Sequence, residues 1–192
     1  MARVDDVLGF WFGSPSEPAH TRPRGLWFER DEAFDTECTR RFQEACEQAA
    51  AGELDSWRDE PRGALALLLL LDQLPRNVFR GSPRAYATDE RAREVAQQAL
   101  ARGLDVPLPP VWRWFFYLPF MHSEDIQDQR RAVALIEPLT WENTDSVITY
   151  ESARRHHDIV ARFGRFPHRN AALGRESTPE EVAFLQEPDS SF

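Results

Sequence analysis

Acid–base chemistry and anion capture are the reactions that the polar residues of this sequence are suited to. Histidine, with its titration near neutrality, moves protons; arginine, with a planar fork of donors, holds carboxylates and phosphates in a bidentate way. His122 stands beside Glu124 and Asp125, and His156 precedes a loop carrying Arg165, His168, Arg169, Asn170 and Arg175 between Gly164 and Gly174. A third group, Asp72, Arg76 and Asn77, directly follows eight apolar residues. A histidine beside carboxylates is a candidate general acid or base, so His122, Glu124 and His156 are the candidate catalytic residues. Asp72, Arg76, Asn77, His122, Glu124, His156, Arg165, His168, Arg169, Asn170 and Arg175 together make a candidate ligand-binding set, with the arginines receiving an anion.

Each of these residues also has a plainer role. Taken alone, His122 reads as a helix-entry residue whose ring bonds a backbone carbonyl, and an inward His156 as a satisfied core histidine. All of the polar residues together could be a structural network joining helix ends. A metal centre is not expected, because no short ligand spacing such as H-E-x-x-H is present and neighbouring arginines would repel a divalent cation. No cofactor is expected either: the P-loop, the dinucleotide-binding glycine pattern, the G-x-S-x-G elbow and C-x-x-C are all missing.

The elements that must position these groups read as helices. Val4, Val7, Leu8 and Trp11 recur at helical spacing, with Gly13 and Pro15 as a stop, and His20 reads as a solvated loop residue. After Asp31, the positions Phe34, Cys38, Phe42, Ala45, Cys46 and Ala49 define a long amphipathic helix ending at Gly52. Asp59 and Pro61 supply an N-cap and first-turn proline for Gly63 to Leu71, apolar all round and therefore buried, with Asp72 near its C-terminus, where the dipole disfavours an acid and Arg76 is the nearest counter-charge. Thr88 opens a helix that closes at Gly103. Prolines on either side frame the aromatic run Val111 to Leu118 as a buried helix, and Ser123 is placed to cap the next. Another helix runs from about Thr144 to Phe163, with Ala153, His156, Val160 and Phe163 on one face. Thr178-Pro179-Glu180-Glu181 is a capping box. The sum is an all-α single domain of seven to eight helices over residues 1–187, with antiparallel neighbours and a short tail at 188–192.

Composition narrows the partners. A formal charge of -9 argues against a nucleic-acid binder, which carries a basic face. No lysine occurs, so all 23 basic residues are arginine. Cys38 and Cys46 lie roughly 12 Å apart along one helix, too far to bridge, which fits a reduced cytoplasmic chain. No apolar run is long enough to span a membrane, and no secretory signal opens the chain.

Asp72-Gln73-Leu74-Pro75-Arg76-Asn77-Val78-Phe79-Arg80, Leu118-Pro119-Phe120-Met121-His122-Ser123-Glu124, and Phe163-Gly164-Arg165-Phe166-Pro167-His168-Arg169-Asn170 with Leu173-Gly174-Arg175-Glu176-Ser177-Thr178 resemble the motifs of a mostly bacterial family known as domain of unknown function 924. Phe10-Trp11-Phe12-Gly13 fits as well. The resemblance implies an all-helical fold similar to tetratricopeptide-repeat domains, a right-handed helical array, although no 34-residue repeat is visible. It implies no reaction. The family pattern has a basic residue where His157 stands, so His156 alone matches. Two functional readings follow: a pocket for a small anionic ligand, with acid–base or hydrolytic chemistry at His122 or His156, or a helical module that holds a protein or peptide partner in a concave groove.

Overall fold

Ten α-helices and one π-turn, joined by short loops and 3-10 turns, organise the chain in a computed structural model that describes residues 2–14, 16, 18–188 and 190–191. No strand occurs among the described residues. Pro15, expected to help end the first helix, lies outside them, as do Asp189 and Phe192 of the expected tail.

The helix α1 (Val4–Phe12) places Val7, Leu8, Trp11 and Phe12 in the core. Its last carbonyls do not hang free: Arg24 donates to those of Phe10 and Trp11 at 2.9 and 2.8 Å, and the Trp27 indole donates to that of Trp11 at 2.8 Å. Trp11 and Trp27 stack at 6.0 Å between ring centroids and are core residues, while Trp57 is partly buried against the same core. His20 is not a solvated loop residue. Its Nδ1 donates to the Gly13 carbonyl at 3.0 Å and its ring meets the edge of Trp112, so it ties the first loop to the core.

α2 (Glu32–Ala51) is capped by the Asp31 side chain and ends at a left-handed Gly52. The apolar run forms α3 (Pro61–Leu68), in which every residue from Ala64 to Leu68 is fully buried. Its N-cap is Glu60 rather than Asp59, and no side chain caps it; Asp59 is drawn off to Arg102 at 3.0 Å. Gly63 is required there because a Cβ would run into the Trp57 carbonyl.

The expectation that this helix ends near Asp72 is corrected. It passes through a single widened π-turn, Leu69–Gln73, and continues as α4 (Leu74–Val78). The widened turn, and Pro75 with no N–H to offer the Leu71 carbonyl, leave carbonyls here short of backbone donors. Two of them find outside donors: Leu71 accepts from the Thr88 hydroxyl at 2.5 Å and Asp72 from Arg76 at 2.8 Å. Thr88 occupies the N-cap position of α5 (Asp89–Ala101) but does not cap it, its hydroxyl being committed to the π-turn.

α6 (Pro110–Met121) is the aromatic helix, and it carries Pro119 within its last turn instead of stopping there. α7 (Ile126–Ile136) is capped by Asp125, which accepts from the Gln127 amide at 2.7 Å; Ser123, expected in that role, instead accepts from the Asp125 amide at 3.1 Å. The short α8 (Leu139–Glu142) leads into α9 (Ser146–Phe163), which stops at a left-handed Gly164. α10 (Pro179–Phe184) begins with the expected capping box.

The α3, π-turn and α4 run is the axis, with α1, α2, α5 and α6 packed on it, and α7 and α9 pack on each other and on α6. Most buried apolar residues form one large core; a second small cluster, Ile159, Val160, Phe166 and Phe184, joins the end of α9 to α10. The polar cluster lies where these two meet. No helix among the described residues is long and apolar enough to cross a membrane.

Candidate functional site

Asp72 comes from the π-turn and His122 from the end of α6, fifty positions apart, and they meet at 2.7 and 2.9 Å between His122 Nδ1 and the two carboxylate oxygens. The ring therefore does not seek a backbone carbonyl, nor does it pair with Glu124 or Asp125. Asp72 is 1% exposed, and its carboxylate also accepts from the Gln73 amide at 2.5 Å and lies 3.3 Å from Arg76. Burial raises an acid's pKa, but His122 and Arg76, through charge and hydrogen bonding, outweigh it and hold Asp72 well below the usual carboxylate range. Burial lowers the pKa of His122, partly offset by Asp72. An ionised Asp72 can only accept, so Nδ1 carries the proton and the neutral ring presents Nε2 as an acceptor.

His156 reaches the same place from α9, its ring centroid 6.0 Å from that of His122. Its Nδ1 donates to the Ser152 carbonyl one turn back at 2.8 Å, fixing the same tautomer by a different anchor. Burial first, and His122 next, push its pKa well below the ordinary value. His168 is pushed down to about 3, by burial and then by Arg169. Phe166 packs its ring 5.5 Å from that of His156 and 5.6 Å from that of His168.

Arg169 is 6% exposed, an unusual setting for a guanidinium. Its Nη1 donates to Asp89 at 3.1 Å, and its charge lies 4.7 and 4.6 Å from the ring centroids of Tyr86 and Phe166. Its Nε has no hydrogen-bond partner among the described residues. Burial, and next the like charge of Arg76, lower its pKa. Asp89 is shared: it also accepts from Arg76 at 3.0 and 3.3 Å.

The remaining expected residues fall in a second layer. Glu124 is bound in bidentate fashion by Arg175 at 2.7 and 2.9 Å and accepts from the Phe166 amide at 2.8 Å. Arg165 pairs with Glu181 at 2.6 and 2.8 Å, and Asn170 bridges Arg175 and Glu181. These contacts clamp the loop after Gly164 so that it delivers Phe166, His168 and Arg169. Asn77 stands apart, donating to Asp35 at 2.8 Å, and His157 turns to its neighbour Asp158. The structure thus brings together Asp72, Arg76, His122, His156, His168 and Arg169, surrounds them with Glu124, Arg165, Asn170 and Arg175, and leaves Asn77 aside.

Asp89, Tyr86 and Ser152 also belong to this arrangement and were not singled out in the sequence, and Glu181 was read there only as a capping-box residue. Asp89 had a visible signal, an acid in the first turn of α5, but that pattern is satisfied equally by the helix dipole. Among the described residues, no group of three or more histidine, cysteine or acidic side chains could hold a metal ion. The arrangement can instead hold a proton on one of two imidazoles and receive negative charge at the guanidiniums.

A family model described as bacterial protein of unknown function, DUF924, matches residues 7–189. The structure of ATU0120, a protein of unknown function from Agrobacterium tumefaciens, is similar to this chain at 45% identity, covering 95% of this chain and 96% of that chain, with a TM-score of 0.82. No curated protein matches.

Proposed function

The chain belongs to the DUF924 family of bacterial proteins of unknown function, and on that footing we propose that it binds a small anionic ligand at the Asp72, His122, His156 and Arg169 cluster and performs acid–base chemistry on it. The observation that carries this reading is the Asp72–His122 contact of 2.7 Å at a site with two further histidines and a buried arginine. Burial, and after it the nearby positive charges, lower the proton affinity of His156, His168 and Arg169, so a network that served structure alone would gain little from gathering them here. An arriving anion reverses that penalty.

Roles follow from the anchors. Asp72 fixes the His122 tautomer and stabilises the imidazolium that forms when Nε2 takes a proton. The Ser152 carbonyl does the first of these for His156 without adding a charge. Arg169, with an unpartnered Nε, supplies a donor for the anion, and Arg76 adds positive charge, its Nη donors being held by Asp89 and two backbone carbonyls. The side chains of His122, Arg76 and Asp89 are 13, 20 and 13% exposed, which gives a ligand its approach.

Thermal denaturation in the presence of inorganic phosphate and simple carboxylates tests the reading. A ligand at a hundred times its Kd adds about 2.7 kcal/mol of stability. Wild type is expected to gain stability from at least one anion, and Arg169→Gln to fold yet lose that gain. Equal gains in both proteins, or no gain with any anion in wild type, would sink the proposal.

A further inference from the structure

We infer that the ligand is a phosphodiester, hydrolysed with His156 as general base and His122 as general acid. The inference rests on the anion-site reading above and names its substrate class.

Charge is the first argument. Within the cluster the positive Arg76 and Arg169 are matched by the negative Asp72 and Asp89. Further out, Glu124 is matched by Arg175 and Glu181 by Arg165. The cluster is therefore neutral until one imidazole takes a proton, and then it carries a single positive charge. It suits a monoanion, and a dianionic monoester would leave one buried charge uncompensated. Among common monoanions, a carboxylate offers no bond for hydrolysis at the charged group. A phosphodiester combines one negative charge with a cleavable P–O bond.

The unequal anchors of the two histidines are the second argument. Burial lowers the proton affinity of both rings, but at His122 the Asp72 carboxylate partly offsets it, whereas His156 rests on a neutral carbonyl beside Arg169; of the two, His122 is the ring that takes a proton more readily. Environments that push two titratable groups apart assign the acid and the base. With ring centroids 6.0 Å apart and planes tilted by 51°, the two imidazoles stand close enough for both to reach one bound phosphate. In the reaction His156 Nε2 takes a proton from water as its oxygen bonds to phosphorus. The P–O bond to the leaving alcohol breaks, and that oxygen takes the proton from His122 Nε2. The products are a phosphate monoester and an alcohol, and proton exchange with solvent resets both rings.

Two diesters separate the roles: ethyl 4-nitrophenyl phosphate, whose leaving group needs no proton, and ethyl phenyl phosphate, whose leaving group does. Wild type should hydrolyse both, with an acid limb from His156 on either ester and an alkaline limb from His122 on the phenyl ester, whose profile is therefore bell-shaped. His156→Gln should slow both about 100-fold or more, whereas His122→Gln should slow the phenyl ester about 100-fold and the nitrophenyl ester less than about 10-fold. Circular dichroism establishes that each variant is folded; if one is not, the wild-type profile and its leaving-group dependence decide. Unchanged rates in folded His156→Gln, or a flat wild-type profile, overturn the inference. Failure to hydrolyse either ester while dimethyl phosphate still stabilises wild type, and not Arg169→Gln, overturns the inference but leaves the anion site standing. Failure of every anion to stabilise the protein removes both.

Discussion

Replacing Asp72 with Asn removes one negative charge from the π-turn while preserving its shape, and the structure permits the cost to be worked out. The wild-type carboxylate accepts from His122 at 2.7 Å and Gln73 at 2.5 Å and faces Arg76 at 3.3 Å, at 1% exposure. Breaking a buried ion pair by neutralising one partner costs about 3–5 kcal/mol, because the other charge stays buried. Arg76 keeps Asp89 and two backbone carbonyls, so the lower end, about 3 kcal/mol, is expected. For a chain of this size that corresponds to a midpoint about 6–12 °C lower. Urea and thermal unfolding followed by circular dichroism at neutral pH measure it, and a double-mutant cycle with His122→Gln should return a coupling of about 1–3 kcal/mol. The dependence on pH has a fixed sign. The folded-state pKa of Asp72 is depressed, so its contribution is complete above the unfolded carboxylate pKa and is lost as pH falls through the folded value; wild type and variant should converge in acid. A variant within about 0.5 kcal/mol of wild type at neutral pH, below the cost of even one buried charged hydrogen bond, would refute the account of Asp72 as the anchor of this cluster.

The buried histidines add to the loss of stability in acid, through the cost of protonating them rather than through an ion pair. Their folded pKa values are lowered, so the unfolded chain binds protons that the native state refuses, and stability should fall as pH drops below about 6.5, by up to about 1.4 kcal/mol per pH unit for each ring. His156→Gln should flatten that slope by one ring's share, and an unchanged slope would count against it. Gly63→Ala should destabilise by about 3 kcal/mol through collision of its Cβ with the Trp57 carbonyl, read by urea unfolding; a neutral outcome would contradict the packing of α3. Glu124→Gln should weaken the Arg175 pair and speed amide hydrogen exchange across residues 164–176 while leaving α3 protected. Uniform acceleration over both regions would instead indicate global destabilisation.

Helix periodicity made most of the architecture legible, because apolar faces, capping residues and stop glycines are local signals. The capping box at Thr178 and the stop at Gly164 are written in four and one residues respectively, and both occur as expected. Failures arose where one side chain had two suitors. Thr88 and Ser123 look like N-caps, yet Thr88 serves a carbonyl seventeen positions away and Ser123 yields to Asp125. For the candidate site, the sequence pointed to one pairing, Asp72 with Arg76, which stand 3.3 Å apart, but not to the contacts between distant helices. His122 has two acids within three positions and ignores both for Asp72, because only the burial of the π-turn makes that carboxylate the strongest available partner. Arg169 finds Asp89, a residue whose ordinary helix-start role concealed it. Pairings between distant helices depend on packing, which no local pattern encodes.

The π-turn at Leu69–Gln73 has a consequence for how this helix tolerates change in length. A widened turn holds one residue more than an α-turn, so the apolar positions before it and the polar positions after it are offset by one step of the helical wheel, about 100°. Substitutions within it should therefore matter less than deletions. Removing a single leucine would let the segment close into regular α geometry, strengthening its own hydrogen bonds while swinging Asp72 and Arg76 away from His122 and Asp89 or pulling the leucine face out of the core. The segment thus works as a spacer that sets the phase between two halves of one helix, and its residue count, more than its composition, aligns the cluster.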